Sequence, residues 1–228
     1  MSANTVSPSE LQALQHEIFR LNAVREVQNL MGAYTVNHLP KNMHDHIELF
    51  AMNMPDVSVE VGDRGVYVGP DALRTLFGKQ FSMDLKGNML IHYLATPMIE
   101  VAADGKTAKG VWRSPGIEAV RYEEGRNPVP LWSFGSYACD FIYVDGKWKI
   151  WHLHWFRVVK CTFKDGWVDD LSMTYTGKMA ESPDLKPTTY HNPYTPETVQ
   201  ESVPPCPLPY DSWADDGWAV KEQILGER

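Results

Sequence analysis

The sequence predicts an α+β fold: a cone-shaped, curved antiparallel sheet wrapped around N-terminal helices, with an extended Pro-rich C-terminal arm. Three observations predict it. Apolar residues recur at helical spacing through roughly the first fifty positions. From 89 to 156, strand-like segments follow one another through the turn signals Asp104-Gly105-Lys106 and Asp145-Gly146. Eight of the sixteen prolines then fall between Pro183 and Pro209, too densely for a second packed domain. Helices gathered on one side of an antiparallel sheet define this class, and a sheet that curls over them leaves a hollow with a mouth.

Each element has its local reason. Ser7-Pro8-Ser9-Glu10 is a helix start, with Ser at the cap, Pro first and Glu three residues after the cap. Leu11, Leu14, Ile18, Leu21, Val24 or Arg25, Val27 or Gln28, Met31 and Tyr34 follow at helical spacing, with a break expected near Leu21-Asn22. Asn37-His38-Leu39-Pro40 stops the helix. A second helix is expected over 44–52. His44-Asp45-His46 on it reads as solvated surface, since residues two apart do not share a helical face. Residues 57–61 and 66–68 read as strands joined by Gly62-Asp63-Arg64-Gly65, and Gly69-Pro70-Asp71 opens a third helix. Residues 89–101 read as one long strand, in which Pro97 demands an edge or a bulge. Residues 107–113, 117–122, 131–144 and 148–156 complete the sheet. The division expected is 1–164 for the barrel domain and 165–228 for an arm that packs on it or on a neighbouring subunit. Tyr190, Tyr194, Tyr210, Trp213 and Trp218 speak against plain disorder in that arm.

Bulk properties narrow the function. A net charge of −8 argues against nucleic acid as a partner. No apolar run approaches a membrane span, and no signal peptide is visible, so a cytoplasmic protein without membrane contact is expected. Cys139, Cys161 and Cys206 are odd in number and lack metal-motif spacing, which fits free thiols in a reducing compartment. Phosphate-binding glycine loops and nucleophile elbows are absent from the sequence.

The segment Trp148-Lys149-Ile150-Trp151-His152-Leu153-His154-Trp155-Phe156 carries the strongest chemical signal. Strict alternation puts Trp148, Ile150, His152, His154 and Phe156 on one face. Histidines among aromatics there are core polar groups, metal ligands or acid/base groups. The His-x-His spacing of His152 and His154 could hold zinc with His92 or His38, but no carboxylate spacing supports a metal, and none is assigned.

Glu26-Val27-Gln28-Asn29-Leu30-Met31-Gly32-Ala33-Tyr34, Leu49-Phe50-Ala51, Pro55-Asp56-Val57-Ser58-Val59-Glu60, Gly65-Val66-Tyr67-Val68-Gly69 and Asp145-Gly146-Lys147-Trp148-Lys149-Ile150, in this order and spacing, resemble the SnoaL-like branch of the nuclear transport factor two-like superfamily. The resemblance spans about residues 10 to 160. It implies a deep pocket, dimers or trimers, and mostly cofactor-free chemistry by dehydratases, isomerases, cyclases and lyases. Other members are non-catalytic binders or small subunits of ring-hydroxylating oxygenases. The dehydratases' tyrosine late in the helical region matches Tyr34, and their strand histidine matches His92. A functional polar residue on the last strand corresponds to His152 or His154. Where they carry an aspartate, this chain has Asn37, His38 and Leu39.

The candidate catalytic residues are therefore Tyr34, His38, His92, His152 and His154, with His92 or His154 as the base. Asn37, Tyr67, Trp112, Phe134 and Trp155 are candidate substrate-binding residues, aromatic walls suiting a flat ligand. Glu118 and Asp140 could orient a histidine, but nothing in the sequence places them. The activity expected is that of a cofactor-independent lyase (retro-aldol cleavage or dehydration) or an isomerase, using general acid/base catalysis on a bulky hydroxylated aromatic or polycyclic small molecule. A homo-oligomer is expected. A non-catalytic binding module and an oxygenase small subunit are the alternatives.

Overall fold

A computed structural model describes residues 6–62, 65–80, 86–174, 189–214 and 218, apart from the side chains of 79 and 80. Helix α1 runs unbroken over Pro8–Val36. Ser7 and Glu10 close the expected capping box at its start. The break expected near Leu21-Asn22 does not occur, because asparagine in a helix interior costs only a few tenths of a kcal/mol, ~0.7 at most. The second helix is a 3₁₀ helix over Pro40–Leu49. Its three-residue turn reorients His46, which is 1% exposed instead of solvated, while His44 and Asp45 stay in solvent.

Strands β1 (Ser58–Val61) and β2 (Val66–Val68) pair antiparallel. Residues Asp63 and Arg64 of their turn lie outside the described residues. Helix α2 (Pro70–Thr75) follows and continues as a wider π turn over Leu76–Gln80. The long strand expected over 89–101 divides into β3 (Met89–His92) and β4 (Ala95–Val101). The register slips between Ala95 and Met98, around Thr96 with its positive φ of 49° and Pro97, which has no N–H to pair. Then come β5 (Thr107–Ser114), β6 (Gly116–Val120), β7 (Val129–Val144) and β8 (Lys147–Thr162).

The sheet order is β2-β1-β8-β7-β5-β4, with β6 and β3 continuing the β5 and β4 rows. β1 joins β8 in parallel, so the sheet is mixed, curved and unclosed. Its inner face packs on Ala23, Val27, Met31 and Tyr34 of α1 and on Leu73, Leu76 and Phe77. The β7–β8 turn is as read: Asp145 and Gly146 have φ of 52° and 75°.

Residues 189–214 and 218 lie over the outer face. The Thr189 N–H donates to Glu60, the Tyr194 N–H to the Val158 carbonyl, and the Ala103 N–H to the Tyr210 carbonyl. Trp213 packs on Trp151, and Trp218 is buried with Val111, Ala138 and Phe156. Residues 175–188 and 219–228 of the expected arm lie outside the described residues. Among the described residues, no helix is long and apolar enough to cross a membrane.

Candidate functional site

The two long strands decide which histidines meet. Cys139 faces α1, its Sγ 3.9 Å from the Met31 sulfur. Its neighbours Ala138 and Asp140 therefore point outward. Their cross-strand partners are His154 and His152, so these imidazoles point outward too. The alternation predicted from Trp148 fails at Trp151. Asp140 pairs with His152 but Phe141 pairs with Ile150, which leaves Trp151 as the extra residue of a β-bulge. Past it the inward residues are Leu153 and Trp155, while Trp148 and Ile150 are inward before it. A one-residue slip moves every following side chain to the other face.

On the inner face, His92 ends β3 opposite Gly116 of β6. Glycine is needed there: a Cβ would lie 2.7 Å from the Ser133 carbonyl and 3.2 Å from His92 Nδ1. Two positions along, Glu118 reaches back with Oε1 3.3 Å from His92 Nε2, both side chains under a tenth exposed. Lys160 of β8 donates to the other carboxylate oxygen at 2.7 Å. Burial alone would raise the Glu118 carboxyl; the bond from His92 and the Lys160 charge outweigh it and hold it well below the usual carboxylate range. A carboxylate on Nε2 fixes that nitrogen as the donor and leaves the lone pair on Nδ1. That nitrogen is buried and makes no hydrogen bond among the described residues.

Around this pair stand His38, with its ring 5.2 Å from that of His92, and Trp155 at 6.1 Å. Tyr34 lies 5.4 Å from His38 and 5.8 Å from Tyr137, ring to ring. Burial raises both phenols well above their ordinary value, so both keep their hydrogens and remain donors at neutral pH. Burial, reinforced by the His92 and His46 rings, holds the His38 imidazole well below 6.5 despite Glu118 nearby. His46 supports Tyr34 from behind, its Nε2 3.0 Å from the Tyr34 carbonyl and its ring 4.7 Å from the phenol ring.

The structure thus brings together Tyr34, His38, His92 and Trp155 of the residues singled out in the sequence. It does not bring His152 and His154 to them. His152 bonds Asp140 at 2.9 Å and stacks on Trp151; His154 sits 3.4 Å from Glu60, which is fully buried. The remaining wall candidates are placed differently. Trp112 packs on Phe141 and donates to Gln28, and Tyr67 is core on β2. Phe134 is outside, stacked on Trp132. Asn37 caps α1 through its backbone, with an exposed side chain. Lys160, Tyr137 and His46 are not among the candidates, and Glu118 takes the histidine-orienting role left open for it. Only pairing register could have found Glu118, since nothing local marks it. Among the described residues, no three His, Cys, Asp or Glu side chains are grouped to hold a metal ion. Two clefts lie elsewhere: about 380 Å³ beside the β7–β8 turn, and about 260 Å³ between the outer face and residues 192–203.

The inner face of this curved α+β cone thus carries a carboxylate-held histidine, two buried phenols and a second imidazole. The SnoaL-like domain profile matches residues 20–154, more than half of the chain, and the protein belongs to that family. None of the curated proteins matches the sequence. Among solved structures, hexachlorocyclohexane dehydrochlorinase LinA-type3 from Novosphingobium barchaimii superposes with a TM-score of 0.53 at 16% identity, covering 64% of this chain and 94% of that one. A provisional scytalone dehydratase from Novosphingobium aromaticivorans gives 0.53 at 17%, covering 68% and 97%. A provisional dehydratase of the NTF2-like family from Streptomyces avermitilis gives 0.51 at 12%, covering 61% and 98%. At such identities the likeness establishes the shared fold.

Proposed function

We propose that the protein is a cofactor-independent lyase or isomerase that works by general acid/base chemistry on a bulky hydroxylated aromatic or polycyclic small molecule. The observation that supports this best is the His92–Glu118 pair, with a buried Nδ1 that makes no hydrogen bond among the described residues and a line of contacts from His92 through His38 to the protonated phenols of Tyr34 and Tyr137. His92 Nδ1 removes a proton from a substrate hydroxyl or an activated carbon. Glu118 stabilises the imidazolium so formed, and Lys160 keeps that carboxylate ionised. Tyr34 and Tyr137 donate to the oxygen on which charge develops, in a setting dry enough for such bonds to count. His38, neutral, is the second imidazole and relays the proton to the leaving group or the product carbon. Loss of a hydroxyl, retro-aldol cleavage and proton transfer between carbons all need this same set. The Trp155 ring beside His92 favours a flat ring system as substrate.

The test is turnover of a panel of hydroxylated bicyclic and polycyclic aromatics by the isolated protein. The proposal expects product without added metal or nucleotide, and a loss of roughly 10²–10⁴-fold in His92→Gln with the fold retained. Ligand binding without product across the panel, or an unchanged rate in His92→Gln, would overturn it.

A further inference from the structure

The apolar stripe of α1 divides into two. Ala23, Val27, Met31 and Tyr34 are buried against the sheet. Leu11, Leu14, Ile18 and Leu21 are 52%, 54%, 57% and 71% exposed. At about 100° per residue the two sets centre on opposite sides of the helix. The exposed set is spaced three, four and three residues apart, the narrow seam of a two-helix coiled coil. It lies where the helix leaves the body. Residues 8–15 are exposed all round, and the first anchors are His16, bonded to the Ala103 carbonyl, and Phe19, packed on Tyr143 and Trp148. A free helical end of this length is marginal in water unless its apolar face is covered.

We infer that this seam is covered by the same seam of a second copy, running antiparallel, so that the protein is a dimer through α1. The pattern is self-complementary. About a two-fold axis near residue 16, Leu14 faces Ile18 of the second copy and Leu11 faces its Leu21. The next seam position is Arg25, and Glu10 flanks the other end of the seam. A parallel pairing stacks Arg25 on Arg25; the antiparallel one carries Arg25 toward the end that holds Glu10. The four side chains bury on the order of 400 Å² per copy, about half of a standard interface, so the dimer dissociates on dilution.

The test is sedimentation of the full chain across a concentration series. The wild type shifts from monomer to dimer as concentration rises. Leu14→Lys and Ile18→Glu, on the exposed side away from the core, each remain monomeric, with the circular dichroism and melting temperature of the wild type diluted to its monomer. Mixed together, they recover a dimer, because Lys at 14 faces Glu at 18 only in the antiparallel register. A wild type that stays monomeric throughout would overturn the inference, as would variants that still dimerise alone. So would a mixture that stays monomeric. If truncation after 218 newly creates the dimer, the chain's own last residues are the occupant and the inference also fails.

Discussion

The two faces of the sheet carry the same pairing of histidine with buried carboxylate in different surroundings. Inside, His92 is held by Glu118 through Nε2, its ring beside His38 and Trp155, with Tyr34 and Tyr137 following beyond His38. Outside, His152 is held by Asp140 and His154 by Glu60, beneath residues 189–214. Burial would raise the Asp140 carboxyl, but the bond from His152 and the Lys109 charge keep it ionised, as His92 and Lys160 do for Glu118. Electrostatics alone therefore does not distinguish a reacting pair from a structural one. What differs is the surrounding: proton donors inside, and Trp151, Trp213 and the returning chain outside. A histidine–carboxylate pair is a scaffold until other groups converge on its second nitrogen.

Substitutions can break this contrast, and the largest effect belongs to His92. His92→Gln lowers turnover roughly 10²–10⁴-fold with an unchanged melting temperature. Next, His154→Phe leaves turnover nearly intact but destabilises by about 1–3 kcal/mol in urea unfolding, because the buried Glu60 loses the imidazole 3.4 Å from it. If instead His154→Phe abolished turnover at wild-type stability, the roles of the two faces would be reversed. Third, Glu118→Gln costs roughly 10–100-fold in turnover, since it keeps the shape but loses the charge that stabilises imidazolium.

The smallest effect sharpens the contrast through pH. The His38 imidazole is held below its ordinary 6.5 in the folded protein. Below that pH the unfolded chain binds a proton that the folded one refuses, so stability is full above 6.5 and falls as pH drops. Glu118, depressed in the fold, adds a second loss as pH falls below its ordinary 4.5. Chemical denaturation across about pH 2 to 8 expects His38→Phe to flatten the fall that begins near 6.5, and Glu118→Gln to remove the additional fall that begins near 4.5.

Much of this was legible in the sequence, and the exceptions share a cause. The capping box at Ser7, the Asp145-Gly146 turn and the place of His92 on an inward strand depend on local chemistry or on simple alternation, which sequence displays. His152 and His154 were assigned to the wrong face because one unpaired residue, Trp151, shifts the alternation, and a bulge between long aromatic strands has no composition signal. Glu118 could be assigned to His92 only through the β3–β6 register, a contact 26 residues apart in sequence. Residues 11–21 and 23–34 of α1 both keep helical spacing, and that spacing does not display that they occupy different faces. The two-residue step from Leu21 to Ala23, which turns the face round, is easily absorbed into a tolerant pattern.

The most direct measurement is a crystal structure with a turned-over hydroxylated bicyclic aromatic, or its product, bound. The account predicts the ligand on the inner wall, a hydroxyl or acidic carbon within hydrogen-bond reach of His92 Nδ1 and an oxygen facing Tyr34 or Tyr137. A ligand lodged between the outer face and residues 189–214, touching His152 or His154 and leaving His92 uncontacted, would contradict it.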